Sequence, residues 1–424
     1  MWRIKANMHL TKKIKINPTE EQVDVLWQLS EQCRRLYNSA LAERKEAWET
    51  EQKSVKYVEQ QNQLPMLKEK FPQYNIVYSK VLQSVLKKLD ANYKSFFSLW
   101  KNGDKSARPP KFRSGKYFMT LVYNQSGFKI KDRKISFSHK ANEIQLSFEI
   151  GNAFDLLAIK QIEIYNDGPY KGRGNFFVSL TYEKNPLKEY IDNDSYQAID
   201  LGITKIVTAV NTQGRFFEVK TPRSDQYWNT KIDTIKSRRD HCKKGSNRWD
   251  RLHKTYRKME AKKSNQIKDF QHKLSKTMIE NTRSNTIIVG DLNVKNMAQT
   301  KKVTGKRKRS QNRSTQNQGY LSRFIEFLTY KAELAGKKVI RIDEAYTSKE
   351  CCVCRKRHAM PLWERTMKCD CGNVTDRDRN SAINIMKRFL SQNALWTSYQ
   401  KFSDNLRQTG LQMDNCITAN IQVT

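Results

Sequence analysis

Polar and apolar residues alternate at the start of the chain and then give way to helical spacing. Residues 10–16, LTKKIKI, have the period of two that predicts a strand. Thr19 and Gln22 form a capping-box pattern just before apolar residues at helical spacing, which predicts the start of a helix. From Leu82 to Trp100 the apolar residues form one long stripe, whose ordinary role is core packing. The chain is therefore expected to lead from a strand into helices.

The period returns to two after the segment KSARPPKF at 105–112, whose prolines interrupt the helical pattern. IQLSFEI (144–150) and NFFVSLTY (175–182) both alternate like strands. Helices that lie between a first strand and later strands indicate a helical insertion in a small β-barrel. We place the end of this part of the chain in the polar stretch 183–195.

The second half of the chain has the pattern of an α/β domain. A strand and hairpin begin at Gln197, and a long basic helical region follows at about 226–280. Next come a strand at 286–289, a helix at 319–335 and a strand at 338–342. Alternating strands and helices of this kind predict a sheet covered by helices.

The charge of the chain points to a polyanionic partner. Lysine and arginine number 79 against 43 aspartates and glutamates, a formal net charge of +36, which favours nucleic acid. No apolar run approaches the ~20 residues that a membrane-spanning helix needs, so no membrane partner is expected. The location expected is the cytoplasm, at the nucleoid, or the nucleus of a eukaryote. Residues 299–318 are almost without apolar content and predict a loop, either a solvated linker or a phosphate contact.

Five of the eight cysteines lie between residues 351 and 371, and such clustering indicates a metal site. Two close pairs of thiolates can surround one Zn²⁺ tetrahedrally, leaving no open position, so a structural zinc site is predicted. The expected ligands are Cys351, Cys354, Cys369 and Cys371. Cys352 could replace a neighbouring ligand, and His358 is an alternative ligand.

Two acidic residues stand at positions where apolar neighbours are expected to pack. Asp200 lies in the strand-like segment QAIDLGITK (197–205), although an Asp-Leu-Gly turn at a strand end would also explain it. Asp378 shares a predicted helical face with Ala382 and Ile385. Carboxylates on a strand and a helix of one α/β core suit two-metal phosphodiester hydrolysis, and oxygen ligands favour Mg²⁺ or Mn²⁺.

The motifs AIDLGITK, IIVGDLNVKNM, YKAELAGKKVIRIDEAYTSKECCVC and CGNVTDRDRNSAINI resemble those of the TnpB family of transposon-encoded RNA-guided nucleases. Compact type V CRISPR effectors and Fanzor proteins are relatives of that family. The resemblance covers nearly the whole chain and is clearest from Ala198 to Ile385. It implies a guide RNA that pairs with double-stranded target DNA beside a short motif read by the protein.

The resemblance also implies a multidomain α+β fold. The N-terminal domain would be a β-barrel, the wedge domain, with a helical recognition insertion. The C-terminal domain would be an RNase H-like (RuvC) α/β domain with an inserted zinc ribbon. The expected ranges are 1–195 for the N-terminal domain (barrel 1–18 and 105–195, insertion 19–104), 196–390 for the RuvC-like domain, 346–376 for the ribbon and 391–424 for a weakly patterned tail.

One departure from the family concerns the third catalytic acid. The family commonly has glutamate just before the Asp-Leu of its second RuvC motif, where this chain has Gly290 before Asp291. Asp291 could substitute, but one residue along a strand turns a side chain to the opposite face. Glu344 lies in the segment EAYTS after a strand expected beside 286–289, and some relatives carry a relocated glutamate in a similar segment. The remaining possibility is a site with two acids or an inactive one.

By resemblance, Asp200, Glu344 and Asp378 are the catalytic residues and bind catalytic Mg²⁺ or Mn²⁺. The resemblance also suggests that Ser79, Gln83 and Asn124 read the DNA motif, although the same residues could be ordinary surface polar residues.

Two other functions stay open at this point. The missing acid at Gly290 would suit a nuclease-dead, RNA-guided repressor of transcription. An RNase H-like core with a basic surface would also suit a strand-transferring transposase, but a zinc ribbon in this position resembles TnpB instead. The chain could act as a monomer or as a homodimer.

Overall fold

The computed structural model describes residues 8–150, 159–168, 174–291, 321–361, 363–408 and 416–418. The chain divides into two compact units, Met1–Asn185 and Pro186–Thr424. This division lies within the polar stretch 183–195, ten residues before the end assigned to the N-terminal domain, and the predicted loop at 299–318 lies outside the described residues. Within the described part, no helix combines the length and the apolar character that crossing a membrane requires.

The first unit combines four α-helices with two antiparallel sheets in its described part. The helices are α1 (Glu20–Glu51), α2 (Tyr57–Asn62), α3 (Leu64–Lys70) and α4 (Ser79–Lys101). The strands are β1 (Met8–Ile16), β2 (Leu121–Asn124), β3 (Phe128–Lys131), β4 (Lys134–Phe137), β5 (Ser147–Glu149), β6 (Ile159–Asn166) and β7 (Phe176–Lys184). One sheet has the order β1-β7-β6-β2, and the other has the order β3-β4-β5. The four helices lie between β1 and β2 along the chain, and both of these strands belong to the four-stranded sheet.

Helix α1 begins where its capping box predicts. The amide of Gln22 donates to the Thr19 hydroxyl at 3.3 Å, and the Gln22 side chain accepts from the Thr19 amide at 3.1 Å. The apolar stripe of α4 is buried only in its first half, from Val81 to Leu89. Core packing is therefore a wrong prediction for the end of this stripe, where Phe97 is 59% and Trp100 57% exposed because no other described element covers them.

The second unit is built on a six-stranded sheet. Its elements are β8 (Tyr196–Asp200), β9 (Lys205–Asn211), β10 (Phe216–Lys220), α5 (Ser224–Asp240), α6 (Asn247–Asn281), β11 (Thr286–Gly290), α7 (Leu321–Leu334), β12 (Lys338–Ile342), β13 (Thr366–Lys368), β14 (Val374–Asp376), α8 (Arg377–Gln392), α9 (Trp396–Gln408) and β15 (Cys416–Thr418). The sheet order is β12-β11-β8-β9-β10-β15. Strands β8, β11 and β12 are parallel, whereas β9 is antiparallel to both β8 and β10.

Helices cover both faces of this sheet. On one face, Ile199 and Ile287 pack in a core with residues of α6 and α7. On the other face, Ala198 and Ile288 pack with residues of α8 and α9. Because side chains alternate along a strand, Asp200 points to the same face as Ala198, toward α8. The fold is a mixed α/β one in two parts, and its assignment to named domains stays a prediction.

Candidate active site and metal centre

The ends of three parallel strands bring Asp200 and Glu344 to one edge of the sheet. Asp200 is the last residue of β8, and β11 lies between β8 and β12. Gly290, the last residue of β11, pairs with Ile342, and Glu344 follows two residues later. Since the carboxyl ends of parallel strands meet at one edge, this edge is where α/β proteins ordinarily place their sites.

The side chain of Glu344 occupies the space that a side chain at position 290 would need. A Cβ atom added to Gly290 would lie 2.0 Å from Glu344 Oε2 and 3.0 Å from Glu344 Cβ. A side chain at position 290 would therefore have to displace the Glu344 carboxylate from this place. Among the described residues Glu344 Oε2 is buried and has no hydrogen-bond partner, which is costly for a carboxylate unless it binds a cation or is protonated.

The third acid, Asp378, lies in the first turn of α8. Burial raises the pKa of Asp200 well above its usual range, and the charges of Asp378 and Glu344 raise it further. Burial, with the charges of Asp291 and Asp343, raises the pKa of Glu344 to about 7. Burial raises the pKa of Asp378 also, against the opposing charge of Arg365. Asp200 is therefore repelled by both of the other acids, and all three carboxyl groups lie in a setting poor in water, as in sites that bind divalent cations.

The three acids are less tightly grouped than the cysteines. In the described part of the chain, only the four cysteines bring three or more potential ligand atoms within 4.8 Å of one another. Asp291 is exposed, and its amide donates to the Ile342 carbonyl at 2.7 Å. Its side chain thus lacks the enclosure that Glu344 has.

Two hydroxyl groups connect the acids. The Ser381 hydroxyl donates to Asp200 Oδ1 at 2.8 Å. Thr347 Oγ1 lies 2.9 Å from the Ser381 hydroxyl and 2.9 Å from the Glu344 carbonyl, to which it can donate. Ser381 is one turn after Asp378 in α8, so this network joins β8, α8 and the loop after β12.

Polar residues on the buried face of α8 fix that loop to the helix. The side-chain amides of Asn380 and Asn384 each donate to the carbonyls of Thr347 and Glu350, over 2.6 to 3.2 Å. Asn380 also accepts from the Cys352 amide at 2.9 Å. These amides satisfy backbone groups that would otherwise be buried without partners, so they stabilise the approach of the loop to α8.

Asp378 itself is held by the start of its helix and by a neighbouring arginine. The N-cap residue Asp376 accepts from the amides of Asp378 at 2.9 Å and Arg379 at 3.2 Å. Arg365, from the segment just before β13, donates to Asp378 Oδ2 at 2.6 Å and is 47% exposed. The Asp378 carboxylate therefore already has one cationic partner.

The four predicted zinc ligands come together. Cys351 and Cys371 have their sulfurs 3.7 Å apart, and Cys354 and Cys369 have theirs 3.4 Å apart. Four sulfurs bound to Zn²⁺ at 2.3 Å in a tetrahedron would be about 3.8 Å apart, so the spacing is compatible with zinc. Although burial opposes it, hydrogen bonds from the amides of Cys354 and Val353 and from Asn373 lower the pKa of Cys351 to about 7, which favours the thiolate.

The two alternative ligands lie outside this group. Cys352 packs in the apolar core with residues of α8 and α9, and burial raises its pKa to about 11. Its neighbour Cys351 has its sulfur among the other three thiols. His358 has Nε2 3.1 Å from Cys369 Sγ, where it can donate a hydrogen bond to a ligand sulfur.

The residues suggested to read the DNA motif belong to the first unit. Ser79 begins α4 and accepts from Lys68 Nζ at 2.6 Å. Asn124 ends β2 and accepts from the Ser126 hydroxyl at 3.1 Å, while Ser126 accepts from Tyr78 at 3.0 Å. Ser79 and Asn124 are thus connected through their neighbours, and the partly buried Gln83 lies one turn further along α4. Their role stays a prediction.

Sequence reasoning did not find the residues that hold these acids. They are Thr347, Arg377, Asn380, Ser381 and Asn384, together with Glu218 of β10, which accepts from Arg379 at 2.8 Å. A signal for the α8 residues was present, since Arg377, Asn380, Ser381 and Asn384 recur at a spacing of three and four on a helix expected to pack. Glu218 gives no such local signal.

Three sequence models of known families match the chain, and together they cover more than half of it. Residues 8–53 match a "Helix-turn-helix domain", residues 179–301 a "Probable transposase" of the OrfB_IS605 type, and residues 322–385 a "Cas12f1-like, TNB domain". A TnpB-like protein of Methanocaldococcus jannaschii is 28% identical over 238 residues, which are 54% of this chain and 82% of that protein. The chain belongs to the TnpB family.

Other relatives extend over most of this TnpB-family chain. A protein of Streptomyces pristinaespiralis, provisionally named an RNA-guided DNA endonuclease, is 27% identical over 389 residues, 90% of each chain. The cryo-EM structure of a Cas12f1–sgRNA–target DNA complex aligns with a TM-score of 0.59 at 15% identity, over 87% of this chain and 83% of that one. This similarity shows a common fold.

The fold gives the matched regions a structural meaning. In this TnpB-family chain, residues 8–53 contain β1 and the single helix α1, so no turn between two helices lies in that region. Residues 322–385 contain the four cysteines, the segment with Glu344 and the start of α8. The Cas12f1-like region thus coincides with the four-cysteine cluster and with two of the three candidate catalytic acids.

Proposed function

We propose that this chain is an RNA-guided DNA endonuclease, associated with a transposon, that cuts target DNA next to a short motif by metal-dependent hydrolysis. The observation that carries the proposal is the Glu344 carboxylate, which fills the space over Gly290 at the edge where Asp200 ends β8. A third acid thus stands at the position where the family's glutamate is missing. The RNA-guided endonuclease names of its relatives support the same activity.

Asp200, Glu344 and Asp378 would hold Mg²⁺ or Mn²⁺. The unpartnered Glu344 Oε2 and the raised pKa of each carboxyl group fit a divalent cation, which would remove their mutual repulsion. When bound, such ions activate water and stabilise the leaving oxygen in phosphodiester hydrolysis. Ser381 orients the Asp200 carboxylate, and Thr347 fixes the backbone at Glu344. Arg365, half-exposed beside Asp378, is placed to balance negative charge at this edge.

Zn²⁺ would have a structural role in this protein. Four thiolates leave no open position for water or substrate. The loop that carries the first two cysteines is bound to α8 by Asn380 and Asn384. A closed zinc site would therefore hold the chain between Glu344 and Asp378 in place.

The hairpin of α5 and α6 supports binding to guide RNA and target DNA. Arginines and lysines between residues 238 and 258 number nine, against two acids. Buried residues of α6 begin at Lys263, so its first 16 residues extend about 24 Å without core contact. The phosphate backbone of a guide RNA or of a target duplex could contact these cations.

The domain assignments belong to the same proposal. The second unit would be the RNase H-like (RuvC) domain with its zinc ribbon, and the first unit the wedge barrel with its recognition insertion. Ser79, Gln83 and Asn124 would read the motif beside the target.

Cleavage of a plasmid library by the protein purified with its co-expressed RNA and Mg²⁺ tests this function. We expect motif-dependent cleavage by the wild type, at least about 100-fold loss in Asp200→Ala and Glu344→Ala, and activity in the matched control Asp291→Ala. Motif-dependent binding without any cut by the wild type would leave an RNA-guided repressor. Joining of free transposon ends to target without RNA would instead indicate a transposase.

A further inference from the structure

A row of paired residues connects Asp200 to a second acid on the same face of the sheet. Asp200 of β8 pairs with Thr208 of β9, and Thr208 pairs with Glu218 of β10. Directly paired residues of neighbouring strands point to the same face, so Glu218 faces α8 as Asp200 does. Helix α8 contacts both ends of this row, through Ser381 at Asp200 and through Arg379 at Glu218.

Glu218 is the centre of a largely buried ion-pair network. It accepts from Arg379 Nε at 2.8 Å and from Lys205 Nζ at 3.0 Å. Lys205 also contacts the N-cap residue Asp376, at 3.2 Å. These four side chains are only 12 to 26% exposed, so their charges are weakly screened by solvent.

Among the described residues, this network joins two cations to two anions at the first turn of α8. Asp378 lies between two of its members, since Asp376 caps the helix and Arg379 follows Asp378 directly. The charge of Lys205 already acts on Asp378 and lowers its pKa. Without Glu218, Lys205 and Arg379 would each lose an anionic partner, and the net charge next to Asp378 would become more positive by one unit.

We propose that Glu218 is a positioning residue for the metal site, which holds Lys205 and Arg379 away from the Asp378 carboxylate and so keeps that carboxylate available to a divalent cation. This inference rests on the proposed metal-dependent function. Glu218 acts through charge balance and through the orientation of the first turn of α8, without binding the metal itself. Loss of the Glu218 carboxylate therefore lowers the affinity for the metal more than it lowers the cleavage rate at saturating metal.

The test compares Glu218→Gln, which keeps the shape of the side chain, with the charge-balanced double variant Glu218→Gln/Lys205→Gln. Binding of Mn²⁺ to the full-length, zinc-loaded protein is measured by electron paramagnetic resonance, and the Mg²⁺ dependence of cleavage is measured in parallel. We expect Glu218→Gln to weaken Mn²⁺ binding and to raise the half-maximal Mg²⁺ concentration, each about tenfold. The double variant should return both values to within about threefold of the wild type.

The matched control is Asp269→Asn, which removes one negative charge from an exposed ion pair on α6 and should leave both values unchanged. An unchanged Mn²⁺ affinity in Glu218→Gln would overturn the inference. A loss of affinity that the double variant does not recover would overturn it too, because it would indicate a structural role alone. If the wild type binds Mn²⁺ without cleaving DNA, the proposed function fails while the Mn²⁺ comparison still decides the role of Glu218.

Discussion

Moving the glutamate of the candidate site from position 344 to position 290 tests whether a carboxylate from either position can complete the same metal site. The double variant Gly290→Glu/Glu344→Ala removes the native side chain and supplies another from the neighbouring strand. Because an added Cβ at Gly290 would lie 2.0 Å from Glu344 Oε2, the new side chain enters the space that the alanine leaves. We expect this variant to cleave target DNA at least about tenfold faster than Glu344→Ala.

The single variants should each fail, for different reasons. Glu344→Ala removes the proposed metal ligand, whose loss would cost about 3 kcal/mol or more of transition-state stabilisation, or at least about 100-fold in rate. Gly290→Glu places two carboxylates in one space. Their repulsion at about 4 Å is about 4 kcal/mol at an effective dielectric constant of 20, and overpacking adds about 1–3 kcal/mol. This variant should therefore unfold more easily than the wild type, whereas Glu344→Ala should not.

The assay is single-turnover cleavage of a plasmid that carries the target, with the free energy of unfolding measured for each variant. The matched control is Gly290→Gln/Glu344→Ala, which fills the same space without a charge and should stay as inactive as Glu344→Ala. Equal rates for the glutamate and glutamine double variants, both folded, would refute the idea that position 290 and Glu344 reach the same metals.

Three further predictions concern the surroundings of the site. Ser381→Ala should lower the cleavage rate about tenfold at unchanged zinc content, because the Asp200 carboxylate loses a hydrogen bond that orients it. An unchanged rate in single-turnover assays would contradict this role of Ser381. Metal analysis of the purified protein should show that Cys354→Ala has lost zinc and that Cys352→Ala has kept it. The free energy of unfolding of Cys352→Ala should fall by about 1–2 kcal/mol, because the substitution leaves a cavity in the core. Zinc loss in both variants would show that Cys352 is a ligand. Arg251→Ala/Lys254→Ala should reduce the salt dependence of nucleic-acid affinity by about one unit of slope per lost phosphate contact, and an unchanged slope would exclude the hairpin from the interface.

Local patterns in the sequence predicted the features that depend on near neighbours. The capping box at Thr19 marked the start of α1, and the spacing of the cysteines identified four side chains whose sulfurs come together. The same kind of reasoning treated the whole stripe from Leu82 to Trp100 as core. It could not show that the end of α4 lies beyond the elements that cover its first half.

The features missed from the sequence depend on how the strands pair, residue by residue. The sequence analysis expected the strand before Glu344 beside 286–289, as observed, but the overlap between the Glu344 carboxylate and the space over Gly290 depends on the register of β11 and β12, which no spacing along the chain specifies. Glu218 is 18 residues from Asp200, and only the register of three successive strands puts the two acids on one face. Cys352 and Cys351 are adjacent, but the turn at the ribbon directs one to the core and the other to the metal site.

The position of the cysteines shortens the free chain between two candidate catalytic acids. Glu344 and Asp378 are 34 positions apart, yet Glu344 is only seven positions from Cys351 and Asp378 only seven from Cys371. A zinc ion that joins these cysteines reduces the closing loop from about 34 residues to about 14, which lowers the entropy cost of bringing the two carboxylates together by roughly 0.8 kcal/mol. If the protein uses both metals as proposed, a shortage of zinc would weaken its response to magnesium, so a cell's supply of one metal would set how effectively the other acts.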